Sequence, residues 1–244
     1  MTLTVGSLFS GIGGLDLGLE RAGMKVIWQS EIDPYATRVL AKHWPGVPNY
    51  GDITRIEWAD VVRPDLICGG YPCQPFSLAG KRQGEEDPRH LWPWVRHALR
   101  VLRPRYAIFE NVRGHLSLGG TTVLSEIAAL GYSAEWRIVS AASVGANHRR
   151  DRIFIVAYPT GRDAGKQEPY GLGTVFGQAA ELGKSGSDGR PHGSWWEVEP
   201  GMGRVANGIP HRLDRLKGLG NAVVPQVAEV IGRLVVAHHE QNPD

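Results

Sequence analysis

The chain has 244 residues, of which 42% are hydrophobic and 21% charged, and its formal net charge is +2. That length supports one substantial core and a small accessory lobe, while so small a net charge means that basic residues meeting nucleic acid must be gathered locally. There is no apolar run of about eighteen residues and no charged-then-apolar leader, so the expectation is a cytoplasmic protein without membrane contact. Cys68 and Cys73 are its two cysteines, too close together for a disulfide framework, and its nine histidines show no paired zinc-ligand spacing. A reducing compartment and no metal are expected.

Residues 3–9 read as a first strand running into SGIGGLDLGLERAG, residues 10–23. Gly11, Gly13 and Gly14 make a tight turn that lets a ligand approach the backbone, and Leu15, Leu17, Leu19 and Ala22 suggest a helix closed by Gly23. A nicotinamide dinucleotide site would want glycine at position 16, where Asp16 stands, so an oxidoreductase is disfavoured. Residues 24–30 form a second strand with Glu31 at its end, about twenty residues after the glycines, where a carboxylate can accept hydrogen bonds from both hydroxyls of a ribose. A nucleoside-containing cofactor is favoured over a bare turn. Asp33 and Pro34 open a helix through Ala41, and an aromatic, Pro-containing connection leads to Gly51, Asp52 and Ile53. Asp52 either caps the following turn or accepts a hydrogen bond from an adenine amino group.

The chain is organised around residues 65–77, DLICGGYPCQPFS. Its apolar start suits a strand buried on both faces, and Gly69, Gly70, Pro72 and Pro75 forbid a regular element beyond it. Cys73 therefore sits on a stiff loop at the carboxyl end of a strand, where open α/β sheets bind ligands. A free thiol has a pKa of about 8.5, so a nucleophilic role needs local help. Residues 78–90, with Lys81, Arg82 and Arg89, read as a lid whose basic residues touch phosphates.

Residues 91–102 read as an amphipathic helix and Tyr106–Val112, YAIFENV, as a buried strand ending in an acid and an amide. Glu110 then shares the carboxyl edge of the sheet with Glu31 and Cys73. A carboxylate in apolar surroundings is either paired with an arginine or kept neutral by a raised pKa, and the second state is what a general acid requires. A helix over 121–130, stopped by Gly131, and strands over 132–140 and 153–157 follow. Between those strands lies VGANHRRDR, residues 144–152, the densest basic cluster; Arg150 and Arg152, two apart at the mouth of a strand, are expected to project from one face.

From residue 158 to about 203 the texture changes: glycine recurs, hydrophobic periodicity disappears, and between residues 158 and 200 four Lys or Arg stand against six Asp or Glu. This segment is expected to be a small irregular insertion rather than a basic patch. Residues 218–239 then read as a glycine turn followed by a helix with Pro225 in its first turn, which must dock elsewhere on the chain. The expected division is 1–157, catalytic and cofactor-binding; 158–203, a small target recognition region; and 204–244, a C-terminal segment returning to the first.

The ordered set SLFSGIGGLDLGLERAG, EIDP, GDI, GGYPCQPFS, ENV, HRRDR and GNAVVP resembles the cytosine-5 DNA methyltransferase family and spans nearly the whole chain. The resemblance implies an α/β class I S-adenosylmethionine-dependent methyltransferase fold: Rossmann-like, a mostly parallel sheet with helices on both faces and an antiparallel final strand. S-adenosylmethionine would be the methyl donor and S-adenosylhomocysteine the product. Carried over by residue, Cys73 would add to ring carbon 6 of cytosine, Glu110 would hydrogen-bond ring nitrogen 3 and the exocyclic amine, and Arg150 and Arg152 would be the paired arginines of the family, one holding the cytosine carbonyl.

The same resemblance puts the cofactor against Phe9, Gly11, Ile12, Gly13, Gly14, Leu15 and Pro72, with Glu31 on the ribose, Ile32 beside the adenine, and Asp52 and Ile53 at its edge. Asn221, Ala222 and Val223 would meet its methionine end. Gln74, Ser77, Lys81, Arg82 and Arg89 would lie along double-stranded DNA, whose target cytosine must be flipped out. A monomer is the default for an enzyme that encircles one base, and the setting stays open between a cognate restriction endonuclease as partner, phage self-protection and an orphan enzyme. His148 replaces the family's glutamine, and the short interval between HRRDR and the C-terminal motifs implies a short or permissive site. A tRNA-directed relative would carry a second cysteine in a Cys-Phe-Thr context, which is absent here. A catalytically silent binding relative would not need the intact cysteine, glutamate and arginine set.

Overall fold

The structure is a computed structural model and describes residues 2–72, 91–117, 119–160 and 212–242. Six strands form one sheet: β1 Thr4–Leu8, β2 Lys25–Ser30, β3 Leu66–Gly69, β4 Tyr106–Val112, β5 Tyr132–Val139 and β6 Arg152–Pro159. Their order is β2-β1-β3-β4-β6-β5. The first four run parallel, and β6 is antiparallel to both β4 and β5. Parallel strands need covering on both faces, and the sequence meets that need by alternation. Tyr106 and Ile108 join one apolar layer with Phe154 and Val156; Ala107 and Phe109 join the other with Ile153, Ile155 and Ala157.

Six helices are described: α1 Gly14–Arg21, α2 Pro34–His43, α3 Trp92–Leu102, α4 Gly120–Ala129, α5 Arg212–Asn221 and α6 Pro225–Gln241. On one face, α3 and α4 insert Val95, Leu99, Leu102, Val123 and Ile127. On the other, α1 and α6 pack as a pair, with Leu15 and Leu19 against Val227, Ala228, Ile231 and Val235. Gly18 permits that closeness, since a β-carbon there would sit 2.4 Å from the Ala228 β-carbon and the Pro225 carbonyl. The helical stretch Lys217–Gln241, which includes α6, has the length and apolarity of a membrane span. The apolar stripe of α6 is nevertheless buried on the sheet and α1, with Ile231 and Val235 at 1% and 0% exposure. Burying four aliphatic side chains in this way contributes on the order of 10 kcal/mol before the entropy of ordering is subtracted.

Asp33 caps α2, accepting from the backbone N–H groups of Tyr35 and Ala36, with Pro34 at the first helical position. Two expectations are corrected. Residues 218–220 are not a turn but the last part of α5; the glycine at 218 answers to packing, since a β-carbon there would lie 3.1 Å from Ile12 and 3.4 Å from Tyr35. The last strand is also longer than 153–157 and continues to Pro159, two residues into the expected target recognition region, because it pairs with β5 from Val139↔Arg152 to Tyr132↔Pro159. The rest of 158–203, apart from Thr160, lies outside the described residues.

Candidate active site

At the carboxyl end of β1 the chain turns sharply. Phe9 has φ 51°, a left-handed conformation strained for a bulky residue, and Gly11 and Gly13 follow at 56° and 83°. Beneath the turn lies a buried polar network: the Ser10 hydroxyl donates to the Ser7 hydroxyl at 2.9 Å, and Ser7 donates to Asp16 at 2.9 Å. Gln29 supplies Asp16 with a second donor at 2.8 Å. Asp16 is fully buried, and loss of water raises its pKa to about 6 against the lowering effect of both hydrogen bonds. The residue that departs from the dinucleotide fingerprint is thus the anchor between β1, α1 and β2.

Glu31 closes the turn from the end of β2. Its Oε2 accepts from Gly11 N–H at 2.8 Å, and its Oε1 accepts from Ile32 and Asp33 N–H at 2.8 and 2.7 Å. Three of about four acceptor positions of the carboxylate are therefore occupied by backbone, leaving one on Oε2 for a hydroxyl. Ile32 stands 67% exposed beside it. Asp52 caps the short helix Ile53–Arg55 through Oδ1, which accepts from Thr54 N–H and Oγ1 at 2.9 and 2.8 Å. Those bonds hold the Asp52 carboxyl below the usual range, with its ionised form facing the cleft.

The parallel arrangement of β1, β3 and β4 brings Glu110 to the same edge. Glu110 stands opposite Phe154 in the β4–β6 ladder, which makes Arg152 its diagonal neighbour on the same face. Arg152 Nε lies 3.0 Å from Glu110 Oε1. Both sequence alternatives for Glu110 hold together: it is paired, and its pKa is nonetheless raised, because burial outweighs the opposing charges of Arg152 and then Arg150. Gly70 passes directly over it; a β-carbon there would sit 3.0 Å from Glu110 Oε2.

One cleft of about 530 Å³ runs from the glycine turn to Glu110 and Arg152, within the roughly 300–1,000 Å³ usual for small-molecule and cofactor sites. Of the residues expected to hold the cofactor, Phe9, Gly11, Ile12, Glu31, Ile32, Asp52, Ile53, Pro72, Asn221 and Ala222 line it. Gly13, Gly14, Leu15 and Val223 stand behind it. Leu15 and Val223 belong to the core, and Gly14 is pressed against the Val223 backbone, whose carbonyl lies 2.3 Å from where a β-carbon would be.

Arg150 departs from its expected position. It precedes β6, with φ 39°, and its Nη2 donates to the carbonyls of Gly220 and Ala222 at 2.7 Å each. Its hydrogen bonds therefore go to other partners than those of Arg152, while its charge still acts on Glu110. Cys73, Gln74, Ser77, Lys81, Arg82 and Arg89 lie outside the described residues. Cys68 is fully buried, where burial pushes its thiol up and away from nucleophilic use.

Sequence reasoning missed the parts played by Tyr71, His115 and Lys217. Tyr71, two residues before Cys73, is held by Asn111, which donates to its carbonyl at 3.1 Å, and its hydroxyl meets buried His115 Nε2 at 2.6 Å. Lys217 Nζ reaches Asp33 Oδ2 at 2.8 Å across the mouth of the cleft. The acid-amide ending of β4 and the basic residues around position 215 were visible signals, but their partners lie far away in sequence.

S-adenosylmethionine suits this cleft on the chemistry of its donors: an acceptor position on Glu31 and a depressed carboxyl on Asp52 for a nucleoside, and an apolar side chain, Ile32, left open beside them. Comparisons with known proteins identify the family. Residues 3–171 match the family model described as C-5 cytosine-specific DNA methylase. The chain is 39% identical over 157 residues to the Type II methyltransferase M.HgiCII of Herpetosiphon aurantiacus, covering 61% of this chain and 36% of that protein. It is 37% identical over 166 residues to the Type II methyltransferase M.NlaIV of Neisseria lactamica, covering 61% of this chain and 39% of the relative. The matched part thus spans well under half the length of these relatives. The fold resembles that of S. pombe Dnmt2 methyltransferase, with TM-score 0.63 and 22% identity over 78% of this chain and 58% of that one. Entamoeba histolytica methyltransferase EhMeth is similar at TM-score 0.57 and 22% identity, over 69% and 55%. The strained glycine turn, the buried acid beside an arginine, and the family match over 3–171 have one explanation: the chain belongs to the C-5 cytosine-specific DNA methylase family.

Proposed function

We propose that the chain is a DNA (cytosine-5-)-methyltransferase, modifying a cytosine flipped from double-stranded DNA at a short or permissive site. The observation that carries this reading is that one cleft joins nucleoside-type acceptors, Glu31 and Asp52, to the buried Glu110–Arg152 pair. S-adenosylmethionine, bound against Phe9, Gly11, Glu31, Ile32 and Asp52 with Asn221 and Ala222 beyond, supplies an electrophilic methyl group.

The residues of the chain do the remainder. The Cys73 thiol loses its proton to solvent and Sγ bonds to carbon 6 of the cytosine, which places negative charge on the ring. Glu110, whose carboxyl burial pushes toward the protonated form, donates to ring nitrogen 3 as that charge develops, and its second oxygen accepts from the exocyclic amine. Arg152 fixes the orientation of the Glu110 carboxyl and presents its remaining N–H groups to the cytosine carbonyl. Carbon 5 is thereby made nucleophilic; once methylated it loses its proton to water, the Sγ–carbon 6 bond breaks, and Cys73 leaves. Extracting the base from the duplex costs a few kcal/mol. The segment 72–90 supplies contacts that repay this cost, with Lys81, Arg82 and Arg89 on phosphates.

The Type II names of the relatives support duplex DNA as substrate and a cognate restriction endonuclease as partner, with action in the cytoplasm, where such DNA resides. The test is a methyl-transfer assay with labelled S-adenosylmethionine, offering duplex DNA and tRNA side by side. Label in duplex cytosine supports the reading. Label confined to tRNA overturns the substrate, and binding of DNA with no transfer to either overturns the activity.

A further inference from the structure

Arg150 is a side chain whose use in this structure differs from its reading as a base contact. It holds φ 39°, a conformation uncommon for a residue with a β-carbon, and there its guanidinium reaches residues seventy and more positions away. One nitrogen, Nη2, donates to both the Gly220 and Ala222 carbonyls at 2.7 Å. These carbonyls belong to the end of α5 and the link to α6, and Gly220, Asn221 and Ala222 form a wall of the cleft. The next residue, Val223, is pinned from the other side by Gly14 at the start of α1. Two anchors therefore set where the wall stands: the glycine turn on one flank and Arg150 on the other. Arg152, two residues on, serves Glu110 instead.

We propose that Arg150 is a positioning residue for the cofactor end of the cleft, holding the 220–222 wall in place before DNA arrives, and that it is not a contact of the target base. The inference rests on the reading of the cleft as an S-adenosylmethionine site. It separates the hydrogen-bonding roles of the two arginines: Arg152 is bonded to Glu110, and Arg150 acts on cofactor affinity through the C-terminal segment. Charge-assisted hydrogen bonds to carbonyls are among the stronger ones, so losing both is expected to weaken cofactor binding about tenfold or more.

The experiment is calorimetric titration of S-adenosylmethionine into the full chain without DNA, for the wild type, R150M, R150K and R152M, each checked for an unchanged circular dichroism spectrum. R150M is expected to bind about tenfold or more weakly. R150K, whose ammonium keeps donors for the carbonyls, recovers part of the loss, and R152M stays within about twofold of wild type. In turnover, R150M raises the KM for cofactor by about the factor that calorimetry reads for binding. A folded R150M that binds like wild type, or an R152M that weakens binding equally, overturns the proposal. If R150M does not fold, R150Q, which can serve one carbonyl, replaces it with a smaller loss expected, and binding equal to wild type overturns the proposal. If wild type itself binds no S-adenosylmethionine, the reading of the cleft fails, a result distinct from failure of the Arg150 assignment.

Discussion

Replacing Asp16 by Asn tests whether a desolvated carboxyl lies in the buried polar network under the glycine turn. Asp16 is fully buried, and its two side-chain donors, Gln29 and Ser7, only partly offset the loss of water, so its pKa rises from 3.8 to about 6. The folded state keeps this proton longer than the unfolded chain does. The stabilisation is therefore fully present below the unfolded value and is lost as pH rises through the folded one. Over the whole window the loss is about 3 kcal/mol, of which about 1.4 kcal/mol falls between about pH 5 and about pH 8. Asn has nearly the same shape and does not titrate. Urea denaturation of wild type and D16N at both pH values cancels the titrations the two proteins share. The unfolding free energy of wild type minus that of D16N should fall by about 1.4 kcal/mol as pH rises across this interval. A difference that stays flat, or that grows with pH, would refute the placement of Asp16 as a desolvated carboxyl under the turn.

Three further outcomes follow from the same structure. E110Q keeps the shape of the buried side chain but removes the acid, so methyl transfer should drop by about 10²–10⁴ while calorimetry shows cofactor binding unchanged; equal activity would remove Glu110 from the chemistry. His115 is 3% exposed and burial lowers its pKa to about 4. Its contribution is therefore complete above the ordinary histidine value and lost as pH falls, by about 3 kcal/mol between about pH 6.5 and about pH 4. Subtracting the profile of H115Q isolates this loss, and a flat difference contradicts the buried neutral imidazole. I231A, which empties a site at 1% exposure between α6 and the core, should cost about 2–5 kcal/mol in urea denaturation; under about 1 kcal/mol would mean that α6 is not docked as described.

Much of the sheet was legible because its strands carry short-range signals. Tyr106–Val112 is found with the bounds its apolar run gives, and Gly23 and Gly131, with φ 93° and 83°, end helices where glycines were read as stops. Legibility failed where a residue answers to a distant partner. The glycines at 218 and 220 look like helix breakers, yet both lie in α5, and the one at 218 is demanded by Ile12 and Tyr35. Strand alternation placed Arg150 beside Arg152, but alternation holds only inside a strand, and Arg150 lies before β6 in a left-handed conformation. The Lys217–Asp33 bridge spans 184 positions and has no local signature. Glu110 shows the reverse case: its apolar strand foretold a desolvated acid, and the register of β6 decided that Arg152 would be the partner.

The most direct measurement is covalent trapping. Wild type and C73S are each incubated with S-adenosylmethionine and duplex DNA containing 5-fluorocytosine, in which the fluorine blocks the final proton loss, and the products are analysed by intact and peptide mass spectrometry. The expected result is a methylated DNA adduct on the peptide containing Cys73 in wild type and none in C73S. Ordinary duplex methylated by C73S at the wild-type rate, or an adduct found on another residue, would contradict the assignment of this cleft to cytosine-5 methyl transfer through Cys73.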